Sequence, residues 1–154
     1  DNGGWSMDPF IPVVQTVFDY ARAQFKDLKI FFFHNTIYDT LWGDPARYRK
    51  AQRLAGLARL DPETRLVIVG DASMAPYELM ATDGSIYAEE RSGRPSIECL
   101  TFLAQTFPRN AWLNPKPAET WGYTRTIAAI RQIFPRFERT IEGLEQAVGH
   151  LMQK

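Results

Sequence analysis

A chain of 154 residues, 45% hydrophobic and 23% charged, is sized and composed for one domain around a single apolar core, not for a disordered or fibrous chain. Its 18 Lys and Arg balance 18 Asp and Glu, so no overall field draws it to nucleic acid or to an anionic membrane. The longest apolar runs, IFFF at 30–33 and LVIV at 66–69, are strand-sized and much shorter than a bilayer span, and the single cysteine, Cys99, forbids an internal disulfide.

The chain opens on DNGGWSMDP, turn and capping chemistry with no strand or helix ahead of it, which reads as the edge of a piece of a longer protein. Gly3 and Gly4 set a tight turn. Asp8-Pro9 then starts a helix, a capping carboxylate followed by proline at the first helical position. Phe10, Val13, Val14, Val17, Phe18, Ala21 and Phe25 recur at helical spacing and carry that helix to about Lys26. KIFFFHN (29–35) is a bounded aromatic run, expected as a buried strand, and TIYDTLW (36–42) alternates as its hairpin partner through a turn at 34–36. Gly43-Asp44-Pro45 opens a second helix to about Leu60, with Ala51, Leu54, Ala55 and Ala58 on one face. RLVIVG (65–70) is a second buried strand that stops at Asp71.

Residues 72–93 mix apolar and turn residues without sustained period, so a short helical turn and a long excursion are expected. Helical spacing resumes over 95–106, RNAWLNP (109–115) is a last core strand, and 120–134 and 140–152 are amphipathic helices split by Pro135. There is no repeat and no second domain, and 1–154 reads as one unit. Strands alternating with helices define an α/β layered sheet.

Two acidic residues stand out by position: Asp1 opens a Gly- and Ser-containing turn into a helix, and Asp71 ends a hydrophobic strand. Ligands of open α/β sheets gather at the carboxyl ends of the strands, and carboxylates and hydroxyls there are hard donors suited to magnesium or manganese. Asp1, Ser6 and Asp71 can thus hold one cation; the alternative is that Asp71 caps the next turn and Asp1 belongs only to a loop. His34 with Asp39 suggests acid–base chemistry, although a histidine at a strand end is more commonly a hydrogen-bonded structural residue. The run Arg47, Arg49, Lys50, Arg53 is expected as a solvated helix face, and Trp112, Trp121 and Tyr123 as buried aromatics. GxSxG, GxxxxGK[ST] and GxGxxG are all missing from the sequence, which removes the hardware of acyl transfer and nucleotide binding.

DNGGWSM resembles the DxSxS metal motif of von Willebrand factor type A domains, and VIVGDASMAPYEL resembles the strand and loop that carry that fold's distal metal aspartate. With WLNP, WGYTRTI and the closing TIEGLEQAV, the whole chain is similar to bacterial CoxE-like members of the group. The resemblance implies a Rossmann-like three-layer sandwich with a mostly parallel sheet and a magnesium (or manganese) adhesion site at the strand tips. There an acidic side chain of a partner protein completes the metal shell. It also implies a bacterial, cytoplasmic protein-binding module, not an enzyme, that acts with a MoxR-type AAA+ ATPase in maturing a metalloenzyme or complex.

Carried over residue by residue, Asp1 matches the first motif aspartate, Asp71 the distal one and Ser6 the second motif serine. Gly3 stands where the first serine usually is, Trp5 is an extra residue before Ser6, and Thr40 is the nearest match to the motif threonine. The resemblance further implies a first central strand, missing from this chain, that leads into Asp1 and lies between KIFFFHN and RLVIVG. The competing reading is a magnesium-dependent hydrolase using Asp1 and Asp71; a third is a structural domain whose metal site has decayed.

Overall fold

In a computed structural model of the chain, residues 1–3, 6–25 and 27–153 are described. The expectations attached to Gly4, Trp5 and Lys26 lie outside those residues. The architecture is mixed α/β and its organising element is a three-stranded parallel sheet. Strand β3 (Leu66–Val69) pairs with β4 (Asn110–Asn114), which pairs in turn with β5 (Arg136–Glu138). A separate antiparallel pair joins β1 (Thr40–Trp42) to β2 (Ala51–Arg53).

β4 is central, and all five of its residues are buried. Its alternation sorts the core into two clusters, one on each face of the sheet. Trp112, with Ile68 of β3, joins the larger cluster with Leu100 and Leu103 of α4 (Ser96–Thr106), Ile127 and Ile130 of α5 (Arg125–Arg131), and Leu79 of α3 (Pro76–Met80). Ala111 and Leu113, with Val69, join Ala147 and Leu151 of α6 (Ile141–Met152), and Val14 and Val17 of α1 (Ile11–Gln24) pack against them. Cys99 is buried in the larger cluster, where burial pushes its thiol up to about 11. Trp112 and Trp121 are buried as expected, whereas Tyr123 is 91% exposed.

Several elements depart from the sequence expectation. Asp8 does not cap α1: it lies inside a 3-10 turn, Asp8–Phe10, whose N-cap is Met7 and has no side-chain bond. KIFFFHN is not a continuous strand. Its pairings are Phe32 with Trp42 and His34 with Thr36. Residues 37–41 lie between those two bridges on the returning chain, and Ile37 and Tyr38 there are buried. The second helix shrinks to α2 (Leu54–Leu57). In its place Asp44 accepts the backbone N–H of Tyr48 and Arg49, and Arg47 and Lys50 take left-handed φ of 59° and 53°. A side chain that competes for backbone donors in this way favours a loop over a helix. Arg47, Arg49 and Lys50 therefore sit on that loop, not on a helix face. The 120–134 helix divides into a 3-10 run, Ala118–Tyr123, and α5, because Thr124 between them is extended (φ −113°, ψ 118°). β5 had no strand signal, being three residues of Arg, Phe and Glu.

Among the described residues the 29–35 and 65–70 segments do not pair with each other; Asp1 and Asn2 lie between them. The Asp1 nitrogen donates to the Val69 carbonyl at 2.6 Å, and the Asn2 N–H donates to the Phe33 carbonyl at 3.0 Å. Asp1 is thereby seated at the carboxyl end of β3. Among the described residues no helix is long and apolar enough to cross a membrane.

α6 begins where Thr140 accepts the Gly143 N–H at 2.9 Å, and a β-carbon on Gly143 would run into the backbone carbonyl of Glu138. Alanine is the better helix former, yet here it overpacks the β5–α6 junction. Gly143→Ala is therefore expected to lower unfolding free energy by about 1–3 kcal/mol, read as a lower urea midpoint with an unchanged slope. An unchanged or higher midpoint would contradict this packing.

Candidate metal centre

The Asp71 end of β3 is built by three side chains that donate to consecutive backbone carbonyls. The Trp112 indole donates to Gly70 O at 2.7 Å, the Asn114 amide to Asp71 O at 2.9 Å, and the Thr126 hydroxyl to Ala72 O at 2.9 Å. All three donors are buried. Ala72 follows in a left-handed conformation, φ 55°, and turns the chain away from the sheet just beyond the carboxylate. Asp71 is 2% exposed; its Oδ1 accepts the Ser73 N–H at 3.1 Å, and its Oδ2 is buried with no hydrogen-bond partner among the described residues.

Asp1 lies against Gly70, the residue before Asp71. One carboxylate oxygen of Asp1, Oδ1, accepts the N–H groups of Gly3 at 3.0 Å and Asn35 at 3.2 Å. Its other oxygen, Oδ2, is buried without a hydrogen-bond partner among the described residues. The structure therefore brings Asp1 and Asp71 to one strand end, where among the described residues Asp1 Oδ2 has no hydrogen-bond partner and Asp71 Oδ2 meets only the Lys116 ammonium, beyond hydrogen-bond reach. Buried polar atoms are normally satisfied, and an orphan needs a reason. A divalent cation would supply one, since hard oxygen donors suit magnesium and manganese.

The remaining predicted ligands are placed differently. Ser6 is half-buried in the turn before the Asp8–Phe10 segment, and no described hydrogen bond joins it to Asp1 or Asp71. Thr40 is on β1, opposite Arg53, and likewise has no described bond to either carboxylate. Among the described residues no three His, Cys, Asp or Glu side chains gather as a metal-holding group. Asp1 and Asp71 would be the two protein ligands of such an ion, and water would supply most of its shell. Gly3, in the place of the first motif serine, is covered by the His34 ring, which occupies the position its β-carbon would take.

His34 is buried, with its ring edge-on to Tyr87 at 5.1 Å between centroids. Burial, then the Arg47 charge, lower its pKa, against an opposing pull from Glu78. It does not pair with Asp39, whose carboxylate is engaged by Arg53 at 2.8 Å and Arg94 at 3.7 Å. Asn35 anchors the same turn by donating to Glu78 Oε1 at 3.1 Å, while Glu78 Oε2 accepts the Ala75 N–H at 2.9 Å. Arg47 closes another side through Asn2 Oδ1 at 2.6 Å. Of the apolar residues in the 72–78 loop, Met74 is buried in the core, while Pro76 and Tyr77 are exposed. Arg47 and Lys116 carry no motif of their own, whereas Asn114 and Thr126 fall within the WLNP and WGYTRTI segments, which do not by themselves mark them as site residues.

Two cations balance the carboxylates. Lys116 Nζ stands 3.6 Å from Asp71 Oδ2. Arg136 lies between the rings of Trp112 (5.7 Å) and Trp121 (5.2 Å), and burial pulls its pKa down to about 10 even though Asp71 raises it.

The 81–95 excursion is closed by Glu90, a buried carboxylate that accepts the Ser85 hydroxyl at 2.5 Å. Burial raises its pKa above the ordinary 4.5. Its favourable contribution is therefore complete below the unfolded value and is lost as pH rises through the folded one. Glu90→Gln is expected to melt above the wild type at about pH 8, with the gap closing below about pH 4.5; a gap that does not change with pH would count against burial as the cause. No family model, curated protein or solved structure matches the chain.

Proposed function

We propose that the chain is a divalent-cation-dependent protein-binding module of von Willebrand A type, similar to CoxE-like proteins. In this reading it is cytoplasmic, and it recognises an acidic side chain of a partner such as a MoxR-type AAA+ ATPase. The observation that carries the reading is the pair of buried carboxylate oxygens, Asp1 Oδ2 and Asp71 Oδ2, at one end of β3, neither with a hydrogen-bond partner among the described residues. A magnesium or manganese ion supplies a Lewis-acidic centre to which a partner carboxylate can bind in exchange for water. Asp1 and Asp71 would hold the ion, with Ser6 the nearest hydroxyl in the motif.

Two further features support an acidic, partly apolar partner. Arg47 and Lys116 set two cationic groups beside the carboxylates. Tyr77 and Tyr87 are exposed on the segments that flank Asn35 and His34, and aromatic residues around a polar centre are frequent anchors of interfaces.

A second reading, a magnesium-dependent hydrolase, draws on one observation. His34 lies over Gly3, two residues from Asp1, and its lowered pKa favours the neutral imidazole that a general base requires.

Magnesium or manganese at about a hundred times its Kd is expected to stabilise the chain by about 2.7 kcal/mol, and Asp71→Ala is expected to abolish the shift. A melting curve indifferent to both ions would remove the site. In pull-downs from a bacterial lysate, capture of a partner should be lost with chelator and with Asp71→Ala and weakened by Tyr77→Ala; equal retention in all of these would rule the module out. Metal-dependent turnover of a phosphate ester, lost in His34→Ala, would favour the hydrolase.

A further inference from the structure

Lys116 is not held as a loose surface lysine. Its N–H donates to Asn114 Oδ1 at 2.8 Å, and its carbonyl accepts the Trp121 indole at 2.8 Å. Asn114 is fully buried, and its amide nitrogen donates to the Asp71 carbonyl. One side chain thus fixes the backbone of both the carboxylate and the lysine. From that rigid base the Lys116 side chain, 31% exposed, brings Nζ to 3.6 Å from Asp71 Oδ2, an oxygen with no hydrogen-bond partner among the described residues.

A buried carboxylate without a counter-charge is strongly disfavoured. At 3.6 Å the ammonium neutralises Asp71 without making the short charge-assisted bond, near 2.8 Å, that would lock it in place. Lysine suits such a loose contact, being a compact point charge on a flexible stem that can reach the carboxylate or swing to water.

We propose that Lys116 is a tethered counter-cation: its ammonium neutralises Asp71 in the cation-free protein and swings out to solvent when a divalent ion binds Asp71. Lysine and ion then compete for one carboxylate oxygen, so Lys116 sets the cation concentration at which the site fills. This rests on the metal-dependent reading above.

The test is manganese titration of the chain by calorimetry, in the wild type, Lys116→Met and Lys116→Arg. Removing the competing charge is expected to tighten manganese binding roughly tenfold in Lys116→Met, whereas Lys116→Arg keeps the charge and gains nothing. A second measurement needs no variant. Acetylation of Lys116 by an amine-reactive reagent, read by peptide mass spectrometry, should quicken several-fold on adding magnesium, while that of exposed Lys29 stays constant. Equal manganese affinity in wild type and Lys116→Met, or a Lys116 acetylation rate indifferent to a bound ion, overturns the proposal. Should Lys116→Met fail to fold, the acetylation experiment decides. Failure of wild type and Lys116→Met alike to bind manganese is a separate result, and it overturns the metal reading itself.

Discussion

Trp112, Asn114 and Thr126 reach across from β4 and α5 to hold the carbonyls of Gly70, Asp71 and Ala72. This clamp works against local backbone preference. Ala72 is a non-glycine residue in the left-handed region, at a cost of roughly 1–2 kcal/mol. Three buried hydrogen bonds at about 1 kcal/mol net each outweigh that cost. The balance favours a chain that turns sharply at the end of β3 and leaves the Asp71 carboxylate facing inward with one oxygen unmet. Without the clamp, Asp71 would be free to turn toward water, as carboxylates at strand ends ordinarily do.

The same economy governs the electrostatics. The chain as a whole is neutral, yet buried carboxylates at Asp71, Glu78 and Glu90 crowd one end of the fold. Each is answered by a different device. Glu78 is consumed by Ala75 and Asn35, Glu90 by a serine hydroxyl, and Asp71 by a lysine standing too far off for a hydrogen bond. Only the last device leaves an oxygen available to something else. That difference separates Asp71 from two carboxylates of similar burial whose roles are structural.

What could be read from the sequence was whatever depended on apolar periodicity. The β3 and β4 runs and α4 and α6 were legible because their buried faces repeat at strand or helix spacing. Asp71 was legible as a strand-end acid. The 44–60 segment was not, because alanines and leucines at helical spacing gave no sign that Asp44 would capture the donors of Tyr48 and Arg49. β5 was hidden because its pairing comes from β4 and not from its own residues. Thr126 and Lys116 were illegible as members of the site for a related reason. Each is 45 or more positions from Asp71 in the chain, and only the parallel packing of β3 and β4 makes them neighbours.

The Gly3–His34 contact carries a consequence for how such a site can change. The imidazole occupies the space where any side chain at position 3 would begin, so the two positions behave as one steric unit shared by segments more than thirty residues apart. A hydroxyl ligand can enter at position 3 only after position 34 has become smaller, since the reverse order passes through a clash in the buried interior. Placing a hydroxyl at position 3 thus takes two substitutions in that order, because packing holds the imidazole over the glycine.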